Sequence, residues 1–130
     1  MSRENLDVVR RINEQLLATG ELALDLMHED ITVLDHDAPD QDEYRGHAGV
    51  AQWLEEWGAA WGAWTYEPEQ YIDAGDIVVM FTRMTAKGRG SGVELDREDG
   101  VVYKLRDGKI THIEYYNDRD QLLDAVGLRE

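Results

Sequence analysis

An acid, an imidazole and a second acid follow directly on an apolar stretch. Residues 31–34 have the composition of a strand, and Asp35, His36 and Asp37 come next. These three could supply a catalytic base, half of a metal site, or a solvated strand end. Alternate residues of a strand share a face, so Asp35 is expected beside Val33 while His36 points the other way.

Asp35 is the strongest candidate for acid/base chemistry. If the face of Ile31 and Val33 is the core, this carboxyl lies at the inner rim of an apolar cavity. A carboxylate in that position could remove a proton next to a carbonyl group. The alternative is a polar strand end in water. His36 and Asp37 are not expected to reach a ligand there.

A metal site is not expected. Neighbours that alternate between faces cannot converge on one ion, and Asp35 with Asp37 alone gives too few ligands. The chain has no cysteine, which excludes thiolate ligands, thiol nucleophiles and disulfides. We therefore expect neither a metal nor a cofactor. The other histidines lie far apart and lack helical ligand spacing: His28, His47 and His112.

A second group of candidates lies near residue 115. Tyr115 and Asn117 alternate with Ile113 and so share its face. Tyr115 could donate to a developing oxyanion with Asn117 as a second donor, or both could be satisfied in the core. Asp118 opens the stretch NDRDQLL, which is typical of a helix N-terminus. It is therefore an N-cap or a pocket acid.

Four further residues could contact a substrate. Asn13 interrupts the apolar stripe of the first predicted helix and needs partners in the core or in a pocket. Trp53 and Trp57 lie one helical turn apart; they pack a helix on a sheet, and at least one could reach a cavity wall. A buried Arg83 would require a carboxylate, either Asp35 or a ligand.

The elements that position these residues change period along the chain. After about residue 61 the apolar period changes from that of a helix to two, which predicts strands. Pro68 places the first of these at a sheet edge, and Asp107-Gly108 predicts a hairpin turn. For Asp99-Gly100, a turn and a bulge both remain open. The earlier predicted elements are helices at 2–20, 21–27 and 47–61 and a strand at 31–36, and a short helix closes the chain.

Helices ahead of a largely antiparallel sheet indicate an α+β fold. We expect a curved, mixed, mostly antiparallel sheet wrapped around three N-terminal helices, forming a cone with an internal pocket. The 130 residues are expected to form a single domain, 1–130.

The charge balance restricts the partners. Acidic residues outnumber Lys and Arg 28 to 13, giving a formal charge of −15. Such a surface repels phosphate backbones and anionic lipid, so neither nucleic acid nor a membrane is an expected partner. A neutral or cationic small molecule, or a second copy of the protein, is a more natural partner, and the expected ligand is small and apolar or aromatic. The absence of a signal core and of a long apolar stretch predicts a cytoplasmic protein.

The segments MHEDITVLD, YRGHAGVAQWLEEW and VVYKLRDGKITHIEYYNDRDQLLDAVGL resemble SnoaL-like proteins of the nuclear transport factor two-like (cystatin-like cone) superfamily. The resemblance covers nearly the whole chain. It implies the fold more specifically than the chemistry, because this superfamily includes cyclases, isomerases, dehydratases, epoxide hydrolases and non-enzymes. Relatives dimerise through the outer sheet face, where Val78, Met80 and Met84 are expected as an exposed apolar row, so a homodimer is predicted.

The resemblance also implies residue roles. Asp35 matches the base of ketosteroid isomerases, whose oxyanion-hole tyrosine falls at Asn13 and whose second acid falls near Val101, so that oxyanion hole is absent. Asp118 matches the acid/base aspartate of SnoaL-type polyketide cyclases, although their partner histidine is missing.

Limonene epoxide hydrolases give a third comparison. Arg83 matches their arginine, but Thr85 and Tyr115 occupy their two acid positions, so epoxide hydrolysis by that route is not expected.

These observations together predict a cofactor-free acid/base enzyme of the cyclase, isomerase or dehydratase type, acting on an apolar carbonyl or polyketide-like compound. Asp35 would be the base, Tyr115 an oxyanion donor and Asp118 a further acid. The alternative is a non-catalytic cone that binds a small ligand or only dimerises. An enzyme requires Asp35 in the cavity, whereas a binding protein does not.

Overall fold

The computed structural model describes residues 2–36, 43–88 and 94–128, with side chains at all of these except 2–3, 57–63 and 88. The described chain contains three α-helices, one 3-10 turn and six strands. In chain order these are α1 (Ser2–Thr19), the 3-10 turn (Leu24–Leu26), β1 (Met27–Asp35), β2 (Glu43–Arg45), α2 (Gly46–Ala60), β3 (Trp61–Asp73), β4 (Ile77–Gly88), β5 (Glu94–Arg106), β6 (Lys109–Tyr116) and α3 (Arg119–Ala125).

The six strands of the described chain form one sheet in the order β2-β1-β6-β5-β4-β3. Strands β1 and β6 run parallel, and every other neighbouring pair is antiparallel. The predicted α+β fold with a mixed, mostly antiparallel sheet is therefore confirmed. Strand β3 lies at an edge, as Pro68 predicted, and its register shifts between Pro68 and Gln70.

The two faces of the sheet carry different packing. On the concave face, β1 contributes Ile31 and Val33, and β4 contributes Val78 and Met80, to the main core. Val9 of α1 is fully buried in the same core, because the apolar stripe of α1 turns toward this face. The concave face with α1 and α2 therefore encloses the interior of the cone.

The convex face is covered in part by α3. Leu122 is fully buried there with Phe81 and Val102. A Cβ atom at Gly100 would collide with the Leu122 side chain and would also lie 3.1 Å from the Phe81 ring. Glycine at position 100 thus allows α3 to approach the sheet closely.

One expectation about the convex face is wrong. Val78, Met80 and Met84 do not form an exposed outer row, because all three are buried on the concave face. The period-two pattern identified the row correctly but could not say which side of the sheet was the core. This row therefore gives no support for a homodimer, which stays a prediction.

Three local features also differ from expectation. Strand β5 runs through Asp99-Gly100 in unbroken register with β4, so neither the turn nor the bulge considered for this dipeptide is formed there. Gly100 is also paired with β6 on the other side. The predicted second helix is reduced to the turn Leu24–Leu26, and β2 was not predicted.

The hairpin turn at Asp107-Gly108 is confirmed, with positive φ angles of 54° and 78°. No helix in the described ranges is long and apolar enough to span a membrane.

Candidate functional site

A cavity lies between the concave face of the sheet and the helices α1 and α2. Its volume is about 100 Å³, and its walls are mostly apolar. An apolar pocket with a few convergent polar groups is the usual form of a small-molecule site. Its lining residues are Ile12, Asn13, Leu16, Leu22, Ala23, Met27, Val50, Trp53, Leu54, Trp64, Tyr66, Met80, Thr82, Met84, Val101, Tyr103, Ile113 and Tyr115.

Asp35 lies on the concave face, as the alternation along β1 predicts. Asp35 is only 3% exposed, and its Oδ2 accepts a hydrogen bond of 2.7 Å from Nε1 of Trp53. Tyr115 is its Cα partner across the parallel β1–β6 pair. Trp53 and Tyr115 both line the cavity, so the carboxylate lies directly next to the cavity wall.

Tyr115 donates its hydroxyl hydrogen bond to a second buried acid. The acceptor is Oδ2 of Asp99, which is 1% exposed, and Oδ1 of Asp99 also accepts from Nε of Arg97 at 2.6 Å. Burial raises the pKa of Tyr115, and the negative charge of Asp99 raises it further. Tyr115 is therefore a neutral phenol that lies between a fixed carboxylate and the cavity.

A second polar network occupies the α1 side of the cavity. Tyr66 donates to Oδ1 of Asn13 at 2.8 Å, and Nδ2 of Asn13 donates to the backbone oxygen of Val9 at 2.9 Å and to the Tyr103 hydroxyl at 3.3 Å. Burial raises the pKa of both tyrosines, so both phenols stay protonated. Asn13 is thus both a core hydrogen-bonding residue and a cavity residue.

Thr82 projects from the middle of the same face, between Met80 and Met84 along β4. It is 3% exposed and lines the cavity. Its hydroxyl has no hydrogen-bond partner among the described residues. Most buried polar groups are paired, so this one requires an explanation.

Aromatic side chains form two parts of the cavity wall. The Trp53 ring meets that of Tyr115 edge to face at 5.9 Å, and the Trp64 ring stacks on Tyr66 at 6.2 Å. Such walls suit a flat ligand. The side chain of Trp57, which was also predicted to bind substrate, falls outside the described residues, and so does Asp37.

Two predicted substrate-binding residues do not line this cavity. The Arg83 side chain is 51% exposed on the convex face and pairs with Asp96, so the acid beside it is neither of the two considered, Asp35 or a ligand in the cavity. Arg83 alternates with Thr82 and Met84, and since those two face inward, Arg83 must face outward. Asn117 is exposed just after the end of β6.

Asp118 is the N-cap of α3. It is exposed, and its side chain accepts a hydrogen bond of 3.0 Å from the backbone N–H of Gln121. Of the two alternatives for Asp118, the geometry therefore shows the N-cap, and Asp118 does not line the cavity.

Replacing Asp118 by alanine should lower the free energy of unfolding by about 1 kcal/mol, because a backbone donor loses its partner. Urea denaturation of Asp118→Ala beside Asp118→Asn, which keeps an N-cap acceptor, measures this; equal stability of the two variants would contradict it.

His36 belongs to a cluster on the convex face, as the alternation along β1 predicts. Its Nε2 lies 3.3 Å from Glu114, and its ring stacks on Tyr116 at 4.3 Å. Glu114 also bonds to His112 at 2.8 Å and accepts from the Tyr116 hydroxyl. Burial alone would raise the pKa of Glu114, but the hydrogen bonds from Tyr116, His112 and His36 outweigh it and lower this pKa to about 2.

The lowered pKa of Glu114 predicts a pH-dependent contribution to stability. Because the folded pKa is below the ordinary value of 4.5, the contribution is fully present above pH 4.5 and is lost as the pH falls toward 2. The stability difference between wild type and Glu114→Gln should therefore be largest above pH 4.5 and shrink below it. Urea denaturation at pH 6, 4 and 3 measures this, with the exposed Glu67→Gln as control. A difference that is independent of pH would contradict the prediction.

The sequence did not point to several residues of the site: Arg97, Asp99, Thr82, Tyr66 and Tyr103. The signal that could have found them was the alternation with apolar neighbours that places Thr82 with Met80 and Tyr103 with Val101. Asp99 was considered only as part of a turn. Among the described residues, no three His, Asp or Glu side chains are grouped so that they could hold a metal ion.

Comparison with solved structures gives the same fold. One match is TerC co-crystallized with polyporic acid, with a TM-score of 0.76 and 21% identity over 95% of this chain and 98% of that one. Another is a candidate SnoaL-like polyketide cyclase from Jannaschia sp. CCS1, with a TM-score of 0.74 and 18% identity over 98% and 94%. A third is a protein with a ketosteroid isomerase-like fold from Catenulispora acidiphila DSM 44928 in complex with trimethylamine, with a TM-score of 0.73 and 18% identity over 94% and 93%.

Comparison of the sequence gives the family. None of the curated proteins compared with this chain is a significant match. The family model for the SnoaL-like domain matches residues 9–113. This range includes the strands β1 and β4, the helix α2 and most of the residues that line the cavity. The chain therefore belongs to the SnoaL-like domain family.

Proposed function

We propose that this protein is a cofactor-independent acid/base enzyme that acts on a flat, apolar carbonyl compound bound in the cone. The observation that carries the proposal is a pair of buried carboxylates on either side of the cavity-lining residue Tyr115: Asp35 is its register partner on β1, and Asp99 on β5 accepts its hydroxyl hydrogen bond. Burying a carboxylate is costly, and buried acids in clefts are enriched at sites of proton transfer.

The two acids have different surroundings and so different roles. Both carboxylate oxygens of Asp99 already accept hydrogen bonds, one from the Arg97 guanidinium and one from the Tyr115 hydroxyl. Asp35 accepts a hydrogen bond from the neutral indole of Trp53. We therefore assign Asp35 as the base that removes a proton from the carbon next to the substrate carbonyl.

Tyr115 completes the reaction. As a neutral phenol it can turn its O–H from Asp99 to the carbonyl oxygen as negative charge develops there. The proton moves from carbon to Asp35, and the electron pair moves to the carbonyl oxygen as an enolate. Return of the proton from Asp35 to another carbon gives isomerisation. Attack of the enolate carbon on a second carbonyl carbon of the same substrate gives ring closure, with the proton returned from Asp35 to the oxygen of that second carbonyl.

Proton exchange tests this function without knowledge of the natural substrate. The ketone 2-indanone is flat and has activated C–H bonds. In D2O, exchange removes the NMR signals of the α-protons of 2-indanone. This loss should be faster with folded wild-type protein than with the same concentration of urea-unfolded protein. Equal rates with folded and unfolded protein would count against the proposal.

One observation favours a second function, that of a small-ligand-binding protein. Asp35 is next to the cavity wall but is not itself among the lining residues, and its Oδ2 is held by Trp53. A binding protein would take up 2-indanone, visible as shifts of the Trp53 indole N–H signal, without accelerating proton exchange.

A further inference from the structure

The hydroxyl of Thr82 is a buried hydrogen-bonding group that no described residue uses. Thr82 is 3% exposed, lines the cavity, and its Oγ1 has no partner within the part of the chain that the structure describes. A buried hydroxyl without a partner destabilises the folded protein relative to an apolar group of the same shape. A valine would fill the same space between Met80 and Met84.

The neighbouring polar groups are engaged elsewhere. Asp99 is the Cα partner of Thr82 across β4 and β5, yet its two carboxylate oxygens accept from Arg97 and Tyr115. On the α1 side, Asn13 is bonded to Tyr66 and Tyr103. Both networks include residues that line the same cavity as Thr82, and neither uses its hydroxyl, which keeps its capacity to donate and to accept.

We infer that Thr82 determines the specificity of this cavity, and that its ligand is an aromatic or similarly flat ring bearing a hydroxyl or keto oxygen that bonds to the Thr82 hydroxyl. The surrounding wall supplies apolar and aromatic surface, which binds a ring but does not discriminate between substituents. The inference rests on the proposed function in that both place the ligand in the same cavity.

A double comparison of ligands and variants tests this inference. The probes are 4-methylphenol, which donates and accepts, 4-methylacetophenone, which only accepts, and p-xylene, which does neither. The dissociation constant of each is measured by titration of protein NMR shifts. The variants are Thr82→Val, and as matched control Thr85→Val, which removes the exposed threonine hydroxyl of the same strand.

The preference for at least one oxygen-bearing probe over p-xylene should fall about three- to tenfold in Thr82→Val, the usual contribution of one hydrogen bond. It should be unchanged in Thr85→Val. If the preference over p-xylene falls for 4-methylphenol alone, the group that Thr82 recognises is a ligand hydroxyl. If it falls for both oxygen-bearing probes, the Thr82 hydroxyl donates to the ligand oxygen. The Tm of Thr82→Val should equal or exceed that of wild type, because no hydrogen bond to any of the described residues is lost.

Two results would overturn the inference. One is an unchanged preference in Thr82→Val, as expected if the hydroxyl only holds water. The other is a lower Tm for Thr82→Val than for Thr85→Val, which would mean that the hydroxyl has a structural partner. The proposed function fails separately: absence of proton exchange in wild type, together with a changed preference in Thr82→Val, would exclude the acid/base role and retain the ligand assignment.

Discussion

Asp35→Asn is expected to lower the rate of 2-indanone proton exchange by two or more orders of magnitude, to near the rate with unfolded protein. An amide cannot take up the proton that the carboxylate would remove. The fold should be kept, because the Asn side-chain oxygen can still accept the hydrogen bond from Nε1 of Trp53. The rate of signal loss in D2O and the circular dichroism spectrum are measured on the same samples.

Asp118→Asn is the matched control for this prediction. It removes an acid of the same type, but from an exposed N-cap position where asparagine caps equally well. Exchange by Asp118→Asn should equal that of wild type. If Asp118→Asn loses activity and Asp35→Asn does not, the base is Asp118 and our assignment of Asp35 is wrong.

Asp99→Ala is expected to lower the free energy of unfolding by about 3 kcal/mol. The change leaves the Arg97 guanidinium and the buried Tyr115 hydroxyl without this acceptor. Removing one partner of a buried ion pair typically costs about 3 to 5 kcal/mol, and the lower figure applies because the Arg97 side chain is 26% exposed. Urea denaturation followed by tryptophan fluorescence measures the change.

Asp96→Ala provides the comparison, because Asp96 lies on the same strand and also pairs with an arginine. The Arg83–Asp96 pair is exposed to solvent, so its loss should change stability little. Adding Tyr115→Phe to Asp99→Ala should cost less than the sum of the two single changes, since both remove the same hydrogen bond. Equal losses for Asp99→Ala and Asp96→Ala would show that the buried cluster contributes no more than a surface pair.

The sequence was most informative where local pattern and burial agree. Alternation along β1 placed Asp35 on the buried face and His36 on the other, and the Asp107-Gly108 signal placed the hairpin turn correctly. Asn13 was identified because a polar residue within an apolar helical stripe is conspicuous. These inferences needed only a period and a turn propensity.

Features that depend on which face of a strand is covered could not be obtained in this way. Strand β4 is apolar on both faces, since Met80 faces the core of the cone while Phe81 packs under α3. Its period therefore did not show that Arg83 faces outward and Thr82 inward. Asp99-Gly100 has the composition of a turn, but pairing of both residues with β4 overrides that local preference.

The parallel pairing of β1 with β6 has a consequence for how the site comes into being during folding. Asp35 and Tyr115 are register partners 80 positions apart (115 − 35), so their contact closes a long loop, with an entropy cost that local helices and hairpins do not carry. Contacts of such separation form late and slow the folding of a small domain. We therefore expect the two residues to meet only after the intervening hairpins have formed, so that partly folded chains would lack the proposed catalytic arrangement even when most of their secondary structure is present.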